Sequence, residues 1–226
     1  MEKPELLKDS RNVRTKTFYE QTAKQLLDNP ELLEDDFLKL QGAVLRKEQP
    51  DRPVCKGLKG TSNTETRIIK CMYFSNAEIV TSLCDKCNFN KRQTDGYNCK
   101  VVGDYKIIDY QYVVAYKGVR IGNIDLVLAD EDYIYLTEVK PYRKSNPENL
   151  LRMFLETETY YRVAIIGAHF KDKQPRKAIL FFKDSPQYYD FINERIAVNT
   201  KKLISKYDVT VFCAEIKDGE IKITTM

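Results

Sequence analysis

Two carboxylates and one lysine lie within apolar, strand-like segments of the chain. Asp125 lies in the run 119–130, and Glu138 and Lys140 end the run 133–140. Buried strands rarely carry charged side chains unless these are paired or bind a metal. Carboxylate oxygens are preferred ligands of Mg²⁺ and Mn²⁺, and a neighbouring ammonium can act on a phosphate or on an attacking water. This set of residues therefore predicts the hydrolysis of phosphodiester bonds.

Two strands joined by a short turn are the elements that must position these groups. An acidic pair, residues 131–132, separates the two apolar runs, and a connection of this kind is typical of a β-hairpin. The hairpin would bring Asp125 beside Glu138, and alternation along the second strand would place Lys140 on the same face as Glu138. Gly122, shortly before Asp125, predicts a bulge or a close backbone approach.

An amphipathic helix is predicted directly after the second strand. Residues 145–148 contain an asparagine suited to the N-cap and a proline suited to the first helical position. Glu156 and Tyr160 are four residues apart and would lie on one side of this helix, with Arg152 one turn earlier. Alternatively, Glu156 pairs with Arg152 and Tyr160 packs in the core. A further apolar run, residues 178–182, completes a β-β-α-β unit.

Residues 105–183 resemble the core of the PD-(D/E)xK nuclease superfamily. The resemblance implies a restriction-endonuclease-like α/β fold, with a mixed sheet flanked by helices, and a nuclease that depends on a divalent metal. It also implies that Asp125 and Glu138 hold Mg²⁺ or Mn²⁺ together with the backbone carbonyl of Val139. Lys140 matches the catalytic lysine of the superfamily.

The helix after the second strand is similar to that of the RecB-like exonuclease branch, which carries the pattern Gln-x-x-x-Tyr. Glu156 stands in place of the glutamine and Tyr160 matches the tyrosine, so both are catalytic candidates. Members of the superfamily usually carry a further acidic residue on a helix before the first core strand. Glu20 is the candidate for that position, and the alternative is that it belongs to a solvated helix face. Ile124 stands where the proline of the superfamily pattern would precede Asp125.

The cysteines predict a second metal site. Cys84 and Cys87 form a Cys-x-x-Cys pair, and Cys99 follows in a polar loop. Either Cys55 or Cys71 would supply the fourth ligand. Four thiolates without a nearby histidine suit structural zinc, which we favour, or a [4Fe-4S] cluster, which some RecB-like nucleases hold. Free thiols are the remaining alternative.

Length and composition are those of a globular protein with 226 residues, 42% of them hydrophobic. We divide the chain into an N-terminal helical part (1–50), a cysteine-containing insertion (51–103) and the nuclease core (104–226). No apolar run approaches membrane-spanning length, and the first residues lack the apolar region of a signal peptide. We therefore expect a soluble, cytoplasmic protein with reduced cysteines and no membrane partner.

The net charge of +4 is modest, but basic residues flank the predicted site. Arg143, Lys144 and Arg152 are candidates for contacts with a nucleic acid, because a polyanion must approach the bound cation. We expect a DNA exonuclease or DNA-processing enzyme. The sequence is also consistent with an RNA endonuclease, and a non-catalytic nucleic-acid-binding module is the alternative from another class. Converging carboxylates favour the enzyme over the binding module, since they repel a phosphate group unless a bound cation lies between carboxylates and phosphate. Nothing in the sequence indicates the oligomeric state.

Several further elements are predicted from periodicity and turn residues. The only histidine, His169, and the apolar Cys213 are both interpreted as structural. The remaining predictions are a helix over 15–27, a second over 31–45, a strand-like run over 67–74 around Cys71, one long helix over 186–206, and a hairpin of strands 209–216 and 221–225 turned at 218–219.

Overall fold

The computed structural model describes residues 16–38, 42–46, 69–73, 100–117, 119–140, 150–166, 170, 173–217 and 220–226. Within these ranges the chain forms an eight-stranded mixed sheet flanked by helices. The helices are α1 (Lys16–Asp28), α2 (Glu31–Leu38), α3 (Leu150–Ile166), α4 (Pro186–Ile192) and α5 (Val198–Lys206). The strands are β1 (Ala43–Arg46), β2 (Lys100–Val102), β3 (Lys106–Tyr116), β4 (Val119–Ala129), β5 (Tyr133–Lys140), β6 (Gln174–Phe182), β7 (Val209–Lys217) and β8 (Glu220–Thr225).

The strand order across the sheet is β1-β3-β4-β5-β6-β7-β8-β2. The neighbours from β1 to β5 are antiparallel, whereas β5, β6 and β7 run parallel to one another. Parallel neighbours need a crossover, and α3 lies in the connection from β5 to β6. The predicted β-β-α-β unit of β4, β5, α3 and β6 is therefore confirmed.

The turn between β4 and β5 is held by the side chain of Asp130. Its Oδ1 accepts hydrogen bonds from the backbone N–H groups of Asp132 (2.9 Å) and Tyr133 (2.7 Å), and its Oδ2 accepts one from the Tyr135 hydroxyl (2.6 Å). The backbone N–H of Asp130 also donates to the carbonyl of Tyr133 at 3.2 Å. Residues 131–132 are thus the predicted two-residue turn, and they fix the register of the hairpin.

The sheet separates two apolar cores. The helix-side core lies between the sheet and the helices, and its members include Leu26, Phe154, Ile179 and Phe181. The far-side core lies on the opposite face and includes Met72, Leu128, Leu180 and Phe212. Because β5, β6 and β7 are covered on both faces, they are almost continuously apolar, as parallel strands inside an α/β fold require.

Strand β3 changes faces part-way along its length. Tyr110 packs in the far-side core, whereas Tyr112 packs against the helix-side core. Regular alternation would place both tyrosines on the same face. Gln111, between them, has a φ of 50°, and this left-handed conformation absorbs the change.

Strand β4 makes the matching change beside it. Ile124 packs in the helix-side core and Leu126 in the far-side core, so the change falls at Asp125. The outer half of the β3–β4 hairpin therefore bends over the helix side of the sheet. This bend brings the outer part of β4 against α3.

The prediction of one helix over residues 31–45 is wrong in its second half. Helix α2 ends at Leu38, and Ala43–Arg46 forms an edge strand antiparallel to β3. Gly42 precedes the strand with a φ of 84°, a conformation that does not continue a helix. The backbone pairing with β3 decides the structure of this segment, and local periodicity cannot report that pairing.

The predicted helix over 186–206 is two helices in the structure. Ser185 caps α4 by accepting a hydrogen bond from the backbone N–H of Tyr188 at 3.1 Å. After α4, the side chain of Asn193 accepts from the backbone N–H of Arg195 at 3.0 Å, forming an Asx turn. Ala197 then adopts a φ of 52°, which ends this turn before α5 begins.

The strand predicted around Cys71 is also wrong, because residues 69–73 are helical. Ile69 and Met72 are both buried, and their spacing of three residues fits a helix face. Cys71 is half-buried there, and Cys213 is buried on β7, as predicted.

Two further predictions concern regions that the structure describes only in part. Residues 51–68 and 74–99 lie outside the described residues, so the cysteine-containing insertion and its boundaries stay predictions. Among the described residues, no helix is both long enough and apolar enough to cross a bilayer.

Candidate active site

Asp125 lies where the pairing of β4 with β5 ends. The last paired residues are Leu126 and Thr137, and one further step would place Asp125 opposite Glu138. The Asp125 side chain instead accepts a hydrogen bond on Oδ2 from the backbone N–H of Val139, at 3.0 Å. The carboxylate is buried, and this hydrogen bond fixes it against β5. The Val139 N–H would otherwise be bound by the backbone of β4.

Glu138 and Lys140 lie two residues apart on β5 and share one face of the sheet. Both side chains are almost fully buried, and the Lys140 ammonium binds Glu138 Oε1 as an ion pair. Strand β6 pairs with this part of β5, with Glu138 beside Ile179 and Lys140 beside Phe181. The predicted convergence of Asp125, Glu138 and Lys140 is therefore present in the structure.

Glu156 approaches the same point from α3. Its carboxyl group lies close enough to that of Glu138 for the two groups to influence each other's charge. Glu156 Oε1 also accepts from Arg152, from Nε at 3.2 Å and from Nη2 at 3.1 Å. Two sequence interpretations thus hold together, because Glu156 pairs with Arg152 across one helical turn and still faces the carboxylates of the sheet.

Tyr160 completes the cluster one turn further along α3. Its ring packs over Gly122 so closely that a Cβ atom placed on that glycine would lie 2.5 Å from the Tyr160 Oη and 2.8 Å from its Cε1. The close approach predicted at Gly122 is confirmed, and the pairing of β3 with β4 is irregular next to it. The bend at Asp125 makes this contact possible, since it brings the outer part of β4 onto the helix side.

The charges in the cluster are unbalanced. Burial and the negative charges of Asp125 and Glu156 raise the pKa of Glu138 well above its usual value, although the Lys140 ammonium opposes the shift. For Glu156, burial acts in the same upward direction, but the positive charges of Lys140 and Arg152 prevail and lower its pKa. The cluster therefore favours the neutral form of Glu138 and the ionised form of Glu156.

The donor chemistry of the cluster fits a hard divalent cation. Three buried carboxyl groups and the Val139 carbonyl would offer only oxygen atoms, as Mg²⁺ and Mn²⁺ prefer. The raised pKa of Glu138 reflects its burial and its repulsion by the neighbouring carboxylates, and a bound cation would relieve that repulsion. Among the described residues, no three acidic, histidine or cysteine side chains already surround one point as metal ligands. Lys140 and the Val139 N–H instead hold oxygens of Glu138 and Asp125.

The prediction that Glu20 joins this site is wrong, because its carboxylate caps α5. Oε2 accepts from the backbone N–H of Asn199 at 2.7 Å, and Oε1 accepts from the Thr200 hydroxyl at 3.0 Å and from the Thr200 N–H at 3.4 Å. The N-cap residue of α5 itself, Ala197, has no side chain able to do this. A negative charge at a helix N-terminus is favourable, so Glu20 has a structural role between α1 and α5.

No motif in the sequence predicts the second buried carboxylate on α3, Glu158. It forms ion pairs with Arg162 on the same helix (3.0 Å) and with Lys177 on β6 (2.8 Å). Arg162 continues to Glu34 on α2, at 2.7 Å. The only signal in the sequence is the spacing of four residues between Glu158 and Arg162. These pairs join α2, α3 and β6, and they explain the burial of Glu158 without a ligand.

The remaining predicted site residues are only partly covered by the structure. Arg152 is described, and its guanidinium is bound to Glu156. Cys71 is half-buried in the helical segment 69–73. The other candidates for nucleic-acid and thiolate-metal binding lie outside the described residues: Arg143, Lys144, Cys55, Cys84, Cys87 and Cys99.

Comparisons with known proteins give little further information. No protein-family model matches the chain, and no curated protein matches it significantly. Among solved structures, the chain is similar to SfsA of Pyrococcus furiosus, determined in complex with Ca²⁺, at 10% sequence identity and a TM-score of 0.28. The similarity covers 66% of this chain and 61% of SfsA, less than two thirds of that protein. A likeness of this size assigns no family, and the case for a function rests on the residues of the site.

Proposed function

We propose that this protein is a divalent-metal-dependent nuclease that hydrolyses phosphodiester bonds in DNA. The supporting observation is the buried meeting of Asp125, Glu138 and Lys140 on neighbouring strands, with Glu156 facing them from α3. A structural ion pair needs only one carboxylate for each ammonium. Further buried carboxylates are costly unless a cation joins them, so the surplus negative charge favours a metal site over a structural role.

The residues of the cluster divide into ligands and groups that act on the substrate. Asp125, Glu138 and the Val139 carbonyl would hold Mg²⁺ or Mn²⁺, which supplies Lewis-acid activation of the phosphate and of water. Once Glu138 binds the cation, the Lys140 ammonium is released from its ion pair. It can then interact with the attacking water or with a phosphate oxygen and stabilise the charge that develops there. Tyr160, at the edge of the cluster, would contact the substrate backbone.

Basic side chains and thiols extend the proposal beyond the cluster. Arg143 and Lys144 would neutralise backbone phosphates, and their position directly after β5 places them close in sequence to Lys140. The four-thiolate site, built from Cys84, Cys87, Cys99 and either Cys55 or Cys71, would hold zinc and order the insertion.

A cleavage assay tests this function directly. The purified protein is incubated with labelled linear double-stranded, circular and single-stranded DNA, and with RNA, in Mn²⁺, in Mg²⁺ and in EDTA. We expect cleavage of DNA that requires the divalent ion, and cleavage of linear but not circular DNA would identify an exonuclease. Cleavage confined to RNA would contradict the proposed substrate, and cleavage that persists in EDTA would contradict the metal site.

The matched variants for this assay are Asp125→Asn and, as a control, Glu215→Gln. Asp125→Asn keeps the size of the side chain but removes a ligand charge, so cleavage should be lost. Glu215 is an exposed carboxylate paired with Lys183 at 2.6 Å, away from the cluster, and its loss should leave cleavage unchanged. Full activity in a folded Asp125→Asn protein would remove the proposed site.

A further inference from the structure

The contact between Gly122 and Tyr160 leaves no room for any side chain on β4 at this position. A Cβ atom on Gly122 would lie 2.5 Å from Tyr160 Oη, 2.8 Å from Cε1 and 3.0 Å from Cζ. Real Cβ atoms do not approach other atoms so closely, so the buried Tyr160 ring would have to move to admit one. Gly122 is not among the described glycines with a positive φ. The position therefore requires glycine for space and not for its backbone conformation.

The Tyr160 hydroxyl is held in place by this contact. The side chain is 6% exposed, and its hydroxyl oxygen is the atom that a Cβ on Gly122 would approach most closely. The hydroxyl lies within the electrostatic reach of Glu156, Glu138 and Asp125. The space left by Gly122 therefore fixes a hydroxyl group next to the carboxylate cluster.

We propose that Gly122 is a positioning residue, whose missing side chain lets the Tyr160 hydroxyl lie at the carboxylate cluster and donate a hydrogen bond to a phosphate oxygen of the substrate. The inference rests on the proposed nuclease function, because the acceptor is a backbone phosphate. A protonated tyrosine hydroxyl can donate a hydrogen bond, and burial together with the neighbouring carboxyl groups favours this protonated form. A phosphate oxygen is a suitable acceptor, and hydrogen bonds to charged acceptors are the stronger class.

The test compares Gly122→Ala, Tyr160→Phe and the double variant by kcat and KM on DNA, with the Mn²⁺ dissociation constant measured separately. Tyr160→Phe should lower kcat/KM about tenfold or more, the value of one hydrogen bond to a charged group. Gly122→Ala should lower it by a similar factor, because the added methyl group displaces the same hydroxyl. In the Tyr160→Phe background, Gly122→Ala should add little, and Mn²⁺ affinity should stay as in the wild type. Tyr161→Phe, which removes the hydroxyl next along the helix, should cleave normally.

A second variant pair covers the case in which Gly122→Ala folds poorly. Tyr160→Leu removes the ring atoms that the new methyl group would meet, so Gly122→Ala should lower the melting temperature in the wild type but much less in Tyr160→Leu. Equal losses in both backgrounds would overturn the inference. The inference is also overturned if Gly122→Ala folds and cleaves like the wild type. It is likewise overturned if the double variant lowers kcat/KM by the product of the two single factors, since the two substitutions would then act independently. A wild-type protein that cleaves no nucleic acid would instead overturn the proposed function itself.

Discussion

At the scale of single residues, Glu138 is the group whose charge state matters most. Burial and the two carboxylates that face it raise its pKa, although the bound Lys140 ammonium opposes the shift. We predict that Glu138→Gln abolishes cleavage without loss of stability, because the amide resembles the neutral form of the side chain, which burial and the neighbouring carboxylates favour. Cleavage and thermal unfolding measured on the same preparation check this. A marked loss of stability would show that the ionised carboxylate supports the fold.

The same raised pKa predicts how stability depends on pH without metal. A group whose pKa is higher in the folded protein stabilises it fully below the unfolded value, about 4.3 for glutamate, and this contribution is lost as pH rises through the folded value. The wild type should therefore lose stability relative to Glu138→Gln as pH rises in EDTA. Mn²⁺ should reverse the loss, and its affinity should rise with pH because binding releases the proton of Glu138. Melting curves of both proteins, with and without Mn²⁺, measure this.

For Lys140 we predict that metal binding is retained while the catalytic rate is lost. Lys140→Met keeps the length of the side chain and removes the ammonium that competes for Glu138. We expect Mn²⁺ affinity to be unchanged or higher, while kcat falls by a factor of about 10² to 10³, the usual effect of losing one group that stabilises developing charge. Isothermal titration and single-turnover cleavage separate these effects. A variant that loses Mn²⁺ binding would mean that Lys140 positions the ligands.

The residues of the cluster could be predicted from the sequence to different degrees. Asp125, Glu138 and Lys140 follow from local pattern, because a hairpin with a short turn fixes which residues meet. Glu20 was misplaced because its partner, the N-terminus of α5, is 179 residues away. Nothing in the local sequence reports such a contact.

At the scale of elements, the contribution of the Glu20 cap on α5 to the free energy of unfolding can be measured. Glu20→Ala should lower the free energy of unfolding by about 1 kcal/mol, the usual cost of losing a helix cap, and leave Mn²⁺ affinity unchanged. Gln21→Ala, at an exposed position of the same helix, is the control and should have little effect. Urea unfolding of the three proteins gives the comparison. If Glu20→Ala weakens Mn²⁺ binding at constant stability, Glu20 is a ligand after all.

Elements with a strong local signal could be predicted from the sequence, and those set by distant partners could not. The strands β4 and β5 agree with prediction within one residue, because apolar runs bounded by turn residues are a local property. Strand β1 depends on pairing with β3, which is far away in sequence. The break between α4 and α5 rests on the Asx turn at Asn193, a signal weaker than the apolar periodicity around it.

At the scale of the whole molecule, the cysteine-containing insertion is tested by its metal content. Protein purified without oxygen should contain about one zinc per chain if four thiolates form the site. Cys84→Ser should lower the melting temperature more than Cys213→Ser, since Cys213 is a buried thiol of β7. Metal analysis and thermal unfolding check both statements. Iron and sulfide in place of zinc would identify a cluster, and neutral replacements would mean that the thiols bind no metal.

The overall architecture could be predicted as a mixed α/β sheet with flanking helices, because the β-β-α-β unit is encoded in a short stretch of sequence. The curvature of the sheet could not, since it depends on how two strands change faces together. The sequence carries no pattern for a positive φ at Gln111.

That curvature couples the two sides of the proposed site. The bend at Gln111 and Asp125 sets the angle between the outer half of the β3–β4 hairpin and the rest of the sheet, and Gly122 lies on the outer half. A sharper bend would press Gly122 further onto Tyr160, and a flatter one would move the hairpin away from α3. A residue such as valine at position 111, which strongly disfavours positive φ, would flatten the hairpin. The backbone conformation of Gln111, which lies outside the cluster, thus sets the spacing between Gly122 and Tyr160 within it.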